Sequence, residues 1–348
     1  MFYMESTKKI FYLLFAVALI LLLIYAQSLI VPLVLAFLFW FVIRVVKKLI
    51  HRTKLTKKWP DWLMTALSTI VILVIIAFSG KLISSNIQQL SRSMPKYEAN
   101  LNKISNTIDT TFNIDLVDEL KEISGDLEFG AILGSIFNAI SGLISNGFTI
   151  LLYLIFLLLE ESVFQRKLKA IYKDEKDYKH INSILSAIDH SVGSYLSLKS
   201  LTSLMTGALS YIALLAIGID APFFWAFLIF LLNFIPTIGS LVATIFPAVF
   251  AMLQFGDFTP AILVLAIVGG IQVIIGNFVD PRLMGSSLNM STLVVFLSLV
   301  IWGAIWGVIG MLLSVPITVI MILILSEFPN GRPIAIMLSK KGDLKKID

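Results

Sequence analysis

No cysteine occurs in the 348 residues, so disulfides, thiolate metal sites and cysteine nucleophiles are excluded. Charge is scarce as well: Asp, Glu, Lys and Arg make up 14% of the chain, against about a quarter in soluble globular domains. The three histidines, His51, His180 and His190, stand in polar segments at spacings that make no metal set. A glycine-rich phosphate loop of the Walker type is missing, and no nucleophile has a base nearby. These absences argue against an enzyme, a metal site, a bound cofactor and ATP hydrolysis within the chain.

What is present is apolar. Hydrophobic residues reach 58% and the mean hydropathy is +0.92, the composition of an all-α polytopic membrane protein. The net charge of +5 does not point to nucleic acid, because the basic residues cluster beside apolar runs in the positive-inside pattern. Lys8 and Lys9 followed by residues 10–26 have the make-up of a signal peptide. A second apolar run at 29–46 follows directly, so an uncleaved helical hairpin is the simpler reading. Basic residues from Lys47 to Lys58 put the next loop, and with it the N-terminus, in the cytoplasm.

A third span is expected at 62–80, with Trp59 and Trp62 at the interface. From Lys81 a heptad stripe begins, with Ile83, Leu90, Tyr97 and Ile104 alternating with Ile87, Met94, Leu101 and Ile108. Pro95 should kink it. Five basic and eight acidic residues between 81 and 130 place this segment outside. It serves either as a subunit contact or as a solvated helix folded back on its own domain. Residues 139–159 return inward, an amphipathic helix with Ile181, Ile184, Ile188, Val192 and Tyr195 lies along the cytoplasmic interface, and 201–219 cross outward.

Residues 220–253 are the centre of the reading. Their apolar arms of about fourteen residues are roughly 21 Å long, whereas a bilayer core needs about 30 Å. Pro236 and Gly239 supply a break and a tight turn between them, which predicts two half-helices joined inside the membrane. After an inward span at 260–276 and a polar loop at 277–288, residues 291–325 form a second long apolar segment. It is interrupted at Gly303, Gly307 and Gly310. A shift of sixty-nine positions sets Pro247 on Pro316 and Asp220 on Asn289. The expected plan is about six full transmembrane helices plus two broken, re-entrant hairpins in an inverted repeat, a plan of secondary transporters with the site near the midplane.

The expected substrate pathway comprises Asn233, Pro236, Thr237, Gly239, Ser240, Gln272, Asn277 and Gly310, since polar groups in hydrocarbon should face a cavity or each other. Half-helices starting after Gly239 and Gly310 would aim backbone N–H groups at the midplane. Asp280, Pro281, Arg282 and Gly285 are the gating candidates; Asp280 and Arg282 alternatively form a local ion pair around Pro281. Gly303 and Gly307 read as sites of close helix packing. Trp302 and Trp306 line a pathway or fill lipid-facing space. The domains expected are 1–80 (scaffold helices), 81–138 (amphipathic extracytoplasmic segment), 139–200 (span and cytoplasmic amphipathic helix), 201–325 (transport domain) and 326–348 (basic cytoplasmic tail).

Two motifs, Asn233-Phe-Ile-Pro-Thr-Ile-Gly239 and Val279-Asp-Pro-Arg-Leu-Met-Gly285, are followed by Gly303, Gly307, Gly310 and Val315-Pro316. With the placement of the spans over nearly the whole chain, they resemble the autoinducer-2 exporter family of bacterial membrane proteins. That family usually carries an aromatic where Thr237 stands, often proline at Ser240, and a histidine-proline pair near Met290 and Ser291. The departures bear on the substrate more than on the fold. The resemblance implies a homo-oligomer, a pentamer, in the bacterial inner membrane, and the placement of the basic residues expects both termini in the cytoplasm. It implies a small polar solute or an ion as cargo, either autoinducer-2 exported or sodium (lithium) exchanged for protons. An oligomeric channel or a non-transporting scaffold is the alternative from another class.

Overall fold

The computed structural model describes residues 14–15, 17–51, 59–112, 146–284 and 289–342, and among these only helices and turns occur. Residues 113–138 of the expected extracytoplasmic segment, Gly285, and Lys345 and Lys346 lie outside the described residues. The protein is an all-α polytopic membrane protein. The elements are α1 (17–25), α2 (Gln27–His51), α3 (Asp61–Phe112), α4 (Gly147–Ile171), α5 (Glu175–Ile217), α6 (Pro222–Leu232), α7 (Ile238–Phe255), α8 (Phe258–Ile274), a π-helical turn (Ile275–Val279), α9 (Asp280–Met284), α10 (Thr292–Glu327) and α11 (Arg332–Leu338). By length and composition seven of these are apolar enough to cross a membrane: α2, α3, α4, α5, α7, α8 extended to Leu283, and α10.

Three sequence expectations change. The span at 62–80 and the heptad helix are one element, the 52-residue α3, which runs on through Pro95. Likewise the amphipathic stretch and the following span merge into the 43-residue α5. Neither junction holds a residue that stops a helix, since Gly80 and Gly193 cost only about 1 kcal/mol each against alanine. The polar segment at 277–288 is helical as far as it is described, with the π turn and α9 covering 275–284.

The chain divides into two compact units assembled from alternating stretches. One contains 1–44, 141–193 and 289–348, and the other 45–140 and 194–288. In the first, Arg44 joins α2 to α4 and α5. Its Nη1 lies 2.6 Å from the Asp189 carboxylate and its Nε 3.6 Å from that of Glu161, while the guanidinium lies over the Trp40 ring. Trp40 donates its indole N–H to the same Glu161 at 2.6 Å.

This unit also holds α10, which is not straight. Trp306 (φ −127°, ψ 15°) and Gly307 (φ 61°, ψ −142°) leave helical geometry, and the second conformation is open essentially to glycine alone. On a straight helix Trp302 and Thr318 would stand about 24 Å apart; instead the Trp302 indole donates to Thr318 Oγ1 at 3.2 Å. α10 is therefore a helical hairpin. A Cβ built on Gly310 would lie 1.9 Å from the Trp302 carbonyl oxygen, so no side chain fits where the arms touch. Gly307 has nothing around its Cβ position and is the turn, not the packing site expected of it, whereas Gly303 faces the side chain of Met311. Both tryptophans are buried and hydrogen-bonded, Trp306 to the carbonyl of Leu23 at 3.0 Å, so neither fills lipid-facing space.

In the second unit α6 and α7 form the other hairpin, α8 packs along α7 where Gly269 approaches Thr244, and α5 packs on α6 through Gly207, which meets the Ala226 carbonyl. The far end of α3 holds the base of the hairpin. Leu253 and Gln254 lie in the last turn of α7, where carbonyls lack helical partners. Asn100 Nδ2 donates to both, at 3.0 and 2.8 Å. Gln254 is buried, donates to the Gly218 carbonyl and accepts from the Asp220 N–H, tying the start of the hairpin to its end. Tyr97, from the heptad stripe, stacks edge-on against Phe250 and donates its hydroxyl to Asp220 at 2.9 Å. Burial pushes the Tyr97 phenol up to about 12, and the Asp220 carboxylate adds to the shift.

Candidate functional site

The site is built on one face of α5. Tyr195, Lys199, Thr202, Ser203, Thr206 and Ser210 recur at helical spacing in an otherwise apolar stretch, and every one is buried. Two of them satisfy themselves in the way hydroxyls do inside helices, Thr202 by donating to the Lys199 carbonyl and Thr206 to that of Thr202. Two others reach across. Ser203 Oγ accepts from Asn233 Nδ2 at 3.0 Å. Lys199 Nζ meets Asp280 Oδ2 at 2.9 Å, with both side chains at most 15% exposed.

Asn233 closes the first arm of the α6/α7 hairpin, and Asp280 opens α9 directly after the π turn. α5 thus gathers the tip of a broken helix and the end of another onto one polar seam. Lys199 and Ser203 are four residues apart and so neighbours on that face. The charges of Lys199 and Asp280 cancel. Asp280 Oδ1 nevertheless remains buried with no donor among the described residues, a situation that costs about 1–3 kcal/mol or more for a charged group. Ser210 Oγ, Trp225 Nε1 and Gln272 Nε2 are also buried and unmatched among the described residues. Such groups cluster where function, not stability, set the residue.

The break itself differs from the expected turn. Residues 233–237 form it, and Thr237, not Gly239, takes the unusual backbone at φ 60°, ψ −60°. Gly239 sits in the first turn of α7, where a Cβ would come within 1.8 Å of the Leu232 carbonyl oxygen. Its role is close approach of the two arms. Ser240 hydrogen-bonds back to the Thr237 carbonyl at 2.9 Å, Pro236 is half-buried, and Thr237 is exposed.

Of the other expected pathway residues, Gln272 is buried on the α8 stripe with Val264 and Val268, whereas Asn277 is exposed on the π turn. Gly310 belongs to the first unit, inside α10. Among the described gating candidates only Asp280 joins the seam. Its partner is Lys199 and not Arg282, which is exposed beside the exposed Pro281. The local ion pair around Pro281 is thereby replaced by a long-range one. Reading by sequence missed Lys199, Ser203 and Tyr195. The signal was legible: a lysine in line with four small hydroxyl residues at three- and four-residue spacing, inside a run able to span a bilayer.

The model of the AI-2E family transporter matches residues 11–330. A Haemophilus influenzae protein named "Putative transport protein" is 31% identical over 98% of this chain and 100% of its own length. "AI-2 transport protein TqsA" of Escherichia coli is 32% identical over 92% of each chain. A further "Putative transport protein", from Borreliella burgdorferi, is 32% identical over 74% of this chain and 71% of its own. A match over nearly the whole chain, on a polytopic helical fold with two broken helices, places this protein in the AI-2E family of transporters.

Proposed function

We propose that this chain is a secondary exporter of a small polar solute, with the quorum-sensing signal autoinducer-2 as the first cargo to test. The observation that carries the reading is Asn233: a buried amide at the end of a half-helix, held by Ser203 next to the Lys199–Asp280 pair. Polar groups are kept at membrane depth, at a cost of a few kcal/mol, where something polar must pass or bind. The 32% identity with the Escherichia coli AI-2 transport protein supports the choice of cargo. The protein works in the bacterial inner membrane as a homo-oligomer, a pentamer, with both termini in the cytoplasm. The two broken hairpins move against a frame supplied by the early helices and α3.

Efflux of labelled autoinducer-2 from proteoliposomes tests this. Saturable efflux in the wild type and at least a tenfold loss in Asn233→Ala at equal protein yield are expected. Equal flux in Asn233→Ala, Pro236→Ala and Gly310→Leu, all folded, overturns the assignment. A second reading, sodium or lithium exchanged for protons, draws on the same seam, because Asp280 is a largely buried acid with a basic partner. Sodium-driven proton flux without solute efflux would favour it.

A further inference from the structure

Asp280 and Lys199 make a site to which the exporter reading gives no ligand. We propose that Asp280 is the proton-binding site that couples transport to the proton gradient, with Lys199 as the built-in competitor for its carboxylate. The proposal rests on reading the chain as a secondary transporter.

Three features converge on a proton. The carboxylate is largely buried, Oδ2 is taken by the Lys199 ammonium at 2.9 Å, and Oδ1 is buried with no donor among the described residues. A buried oxygen lacking a donor gains a covalent O–H on protonation without any atom having to make room, which a hydrated cation or a polyol requires. The carboxylate also stands at the exit of a π-helical turn, an irregularity that marks functional positions in helices.

The charged and titratable groups around it are few. α5 presents Lys199 and, one turn earlier, the buried Tyr195. α9 itself carries Arg282, which is exposed. The hairpin contributes the uncharged Asn233.

Proton uptake forms an O–H bond on Asp280, leaves the residue neutral and breaks the ion pair. Lys199 then keeps its positive charge without a counter-ion, which is costly in a buried place. One turn further along α5 lie the Ser203 hydroxyl and the side-chain amide of Asn233 bonded to it. A lysine that leaves Asp280 for these groups competes with the contact that fixes the hairpin tip. Protonation at α9 is in this way felt at Asn233, and loss of the proton lets Lys199 return.

The test uses the full-length protein in proteoliposomes. Acidification should produce a carboxylic-acid C=O band in infrared difference spectra that Asp280→Asn removes. An imposed proton gradient should drive labelled autoinducer-2 at least tenfold faster than no gradient in the wild type and in Asp280→Glu. In Asp280→Asn, recovered folded at wild-type yield, the gradient should have no effect. The double variant Lys199→Met, Asp280→Asn removes both charges and guards against misfolding of the single one; it should behave as the single variant does. Gradient-driven flux in either variant equal to wild type, or an infrared band that survives Asp280→Asn, overturns the proposal. So does a sodium gradient at equal pH that drives the wild type as strongly as the proton gradient. If the Asp280-dependent band is present and protons move but autoinducer-2 does not, the cargo is wrong and the proton site stands.

Discussion

The two broken hairpins share one device and use it differently. In each, a glycine early in the second arm touches a carbonyl in the last turn of the first arm, Gly239 on Leu232 and Gly310 on Trp302, so closely that a methyl group cannot enter. The turns between are unlike. α6 and α7 are joined by the five residues 233–237, whereas α10 turns through Trp306 and Gly307 alone. Their polar groups differ too. Trp302 spends its indole on Thr318 of the same hairpin, while Asn233 offers its amide to another helix. One hairpin bonds within itself and, through Trp306 at its turn, to the backbone of α1, and the other has its tip wired into a buried polar seam. The glycine contact is therefore what lets the two arms of a hairpin meet, and the tips differ in what they bond to.

The largest effect should come from that shared contact. Gly239→Ala and Gly310→Ala should each lower stability by roughly 3 kcal/mol or more, because a backbone carbonyl cannot step aside. Thermal unfolding in detergent reads this, and tolerance of one variant but not the other would end the analogy. Removing one partner of the buried pair comes next: Lys199→Met should cost about 3 kcal/mol, with the charge-free double variant recovering most of it.

The turns should then separate in sign. Gly307→Ala should destabilise by about 1–3 kcal/mol, while Thr237→Gly should relieve strain and stabilise by up to about 1 kcal/mol. A loss at both positions would mean that Thr237 is held by contacts beyond its backbone.

Smallest is the clamp on the base of the α6/α7 hairpin. Tyr97→Phe forfeits one hydrogen bond to Asp220, about 1 kcal/mol. Because folding raises the Tyr97 phenol from near 10 to about 12, its contribution is complete below pH 10. It disappears as pH rises toward 12, since the unfolded chain loses that proton first. A pH series of denaturant midpoints with Tyr97→Phe as the flat control checks the slope.

Much of the membrane architecture was legible because hydropathy and helix period act locally. The apolar runs, the interruption at Pro236 and the glycines of α10 all announce themselves within a few turns. The turn residue was not legible, since Thr237 has an unfavourable backbone that only the surrounding contacts can impose. Gly239 and Gly307 exchanged expected roles for the same reason: whether a glycine is needed for its φ or for its missing Cβ depends on what lies opposite. Asp280 looked like half of a local pair with Arg282, two residues away. Its partner lies 81 residues earlier in sequence, and no spacing rule reaches that far.

By itself the sequence determined that this chain enters a bilayer, that its elements are helices and where two of them break. Lipid offers no water to an unpaired backbone, so those outcomes follow from composition and period. Only the tertiary structure decided that a lysine, two serine and asparagine side chains and an aspartate from three separate helices share one buried seam. Burial is a property of the neighbours, and it alone turns ordinary polar residues into groups that must bond, bind or move.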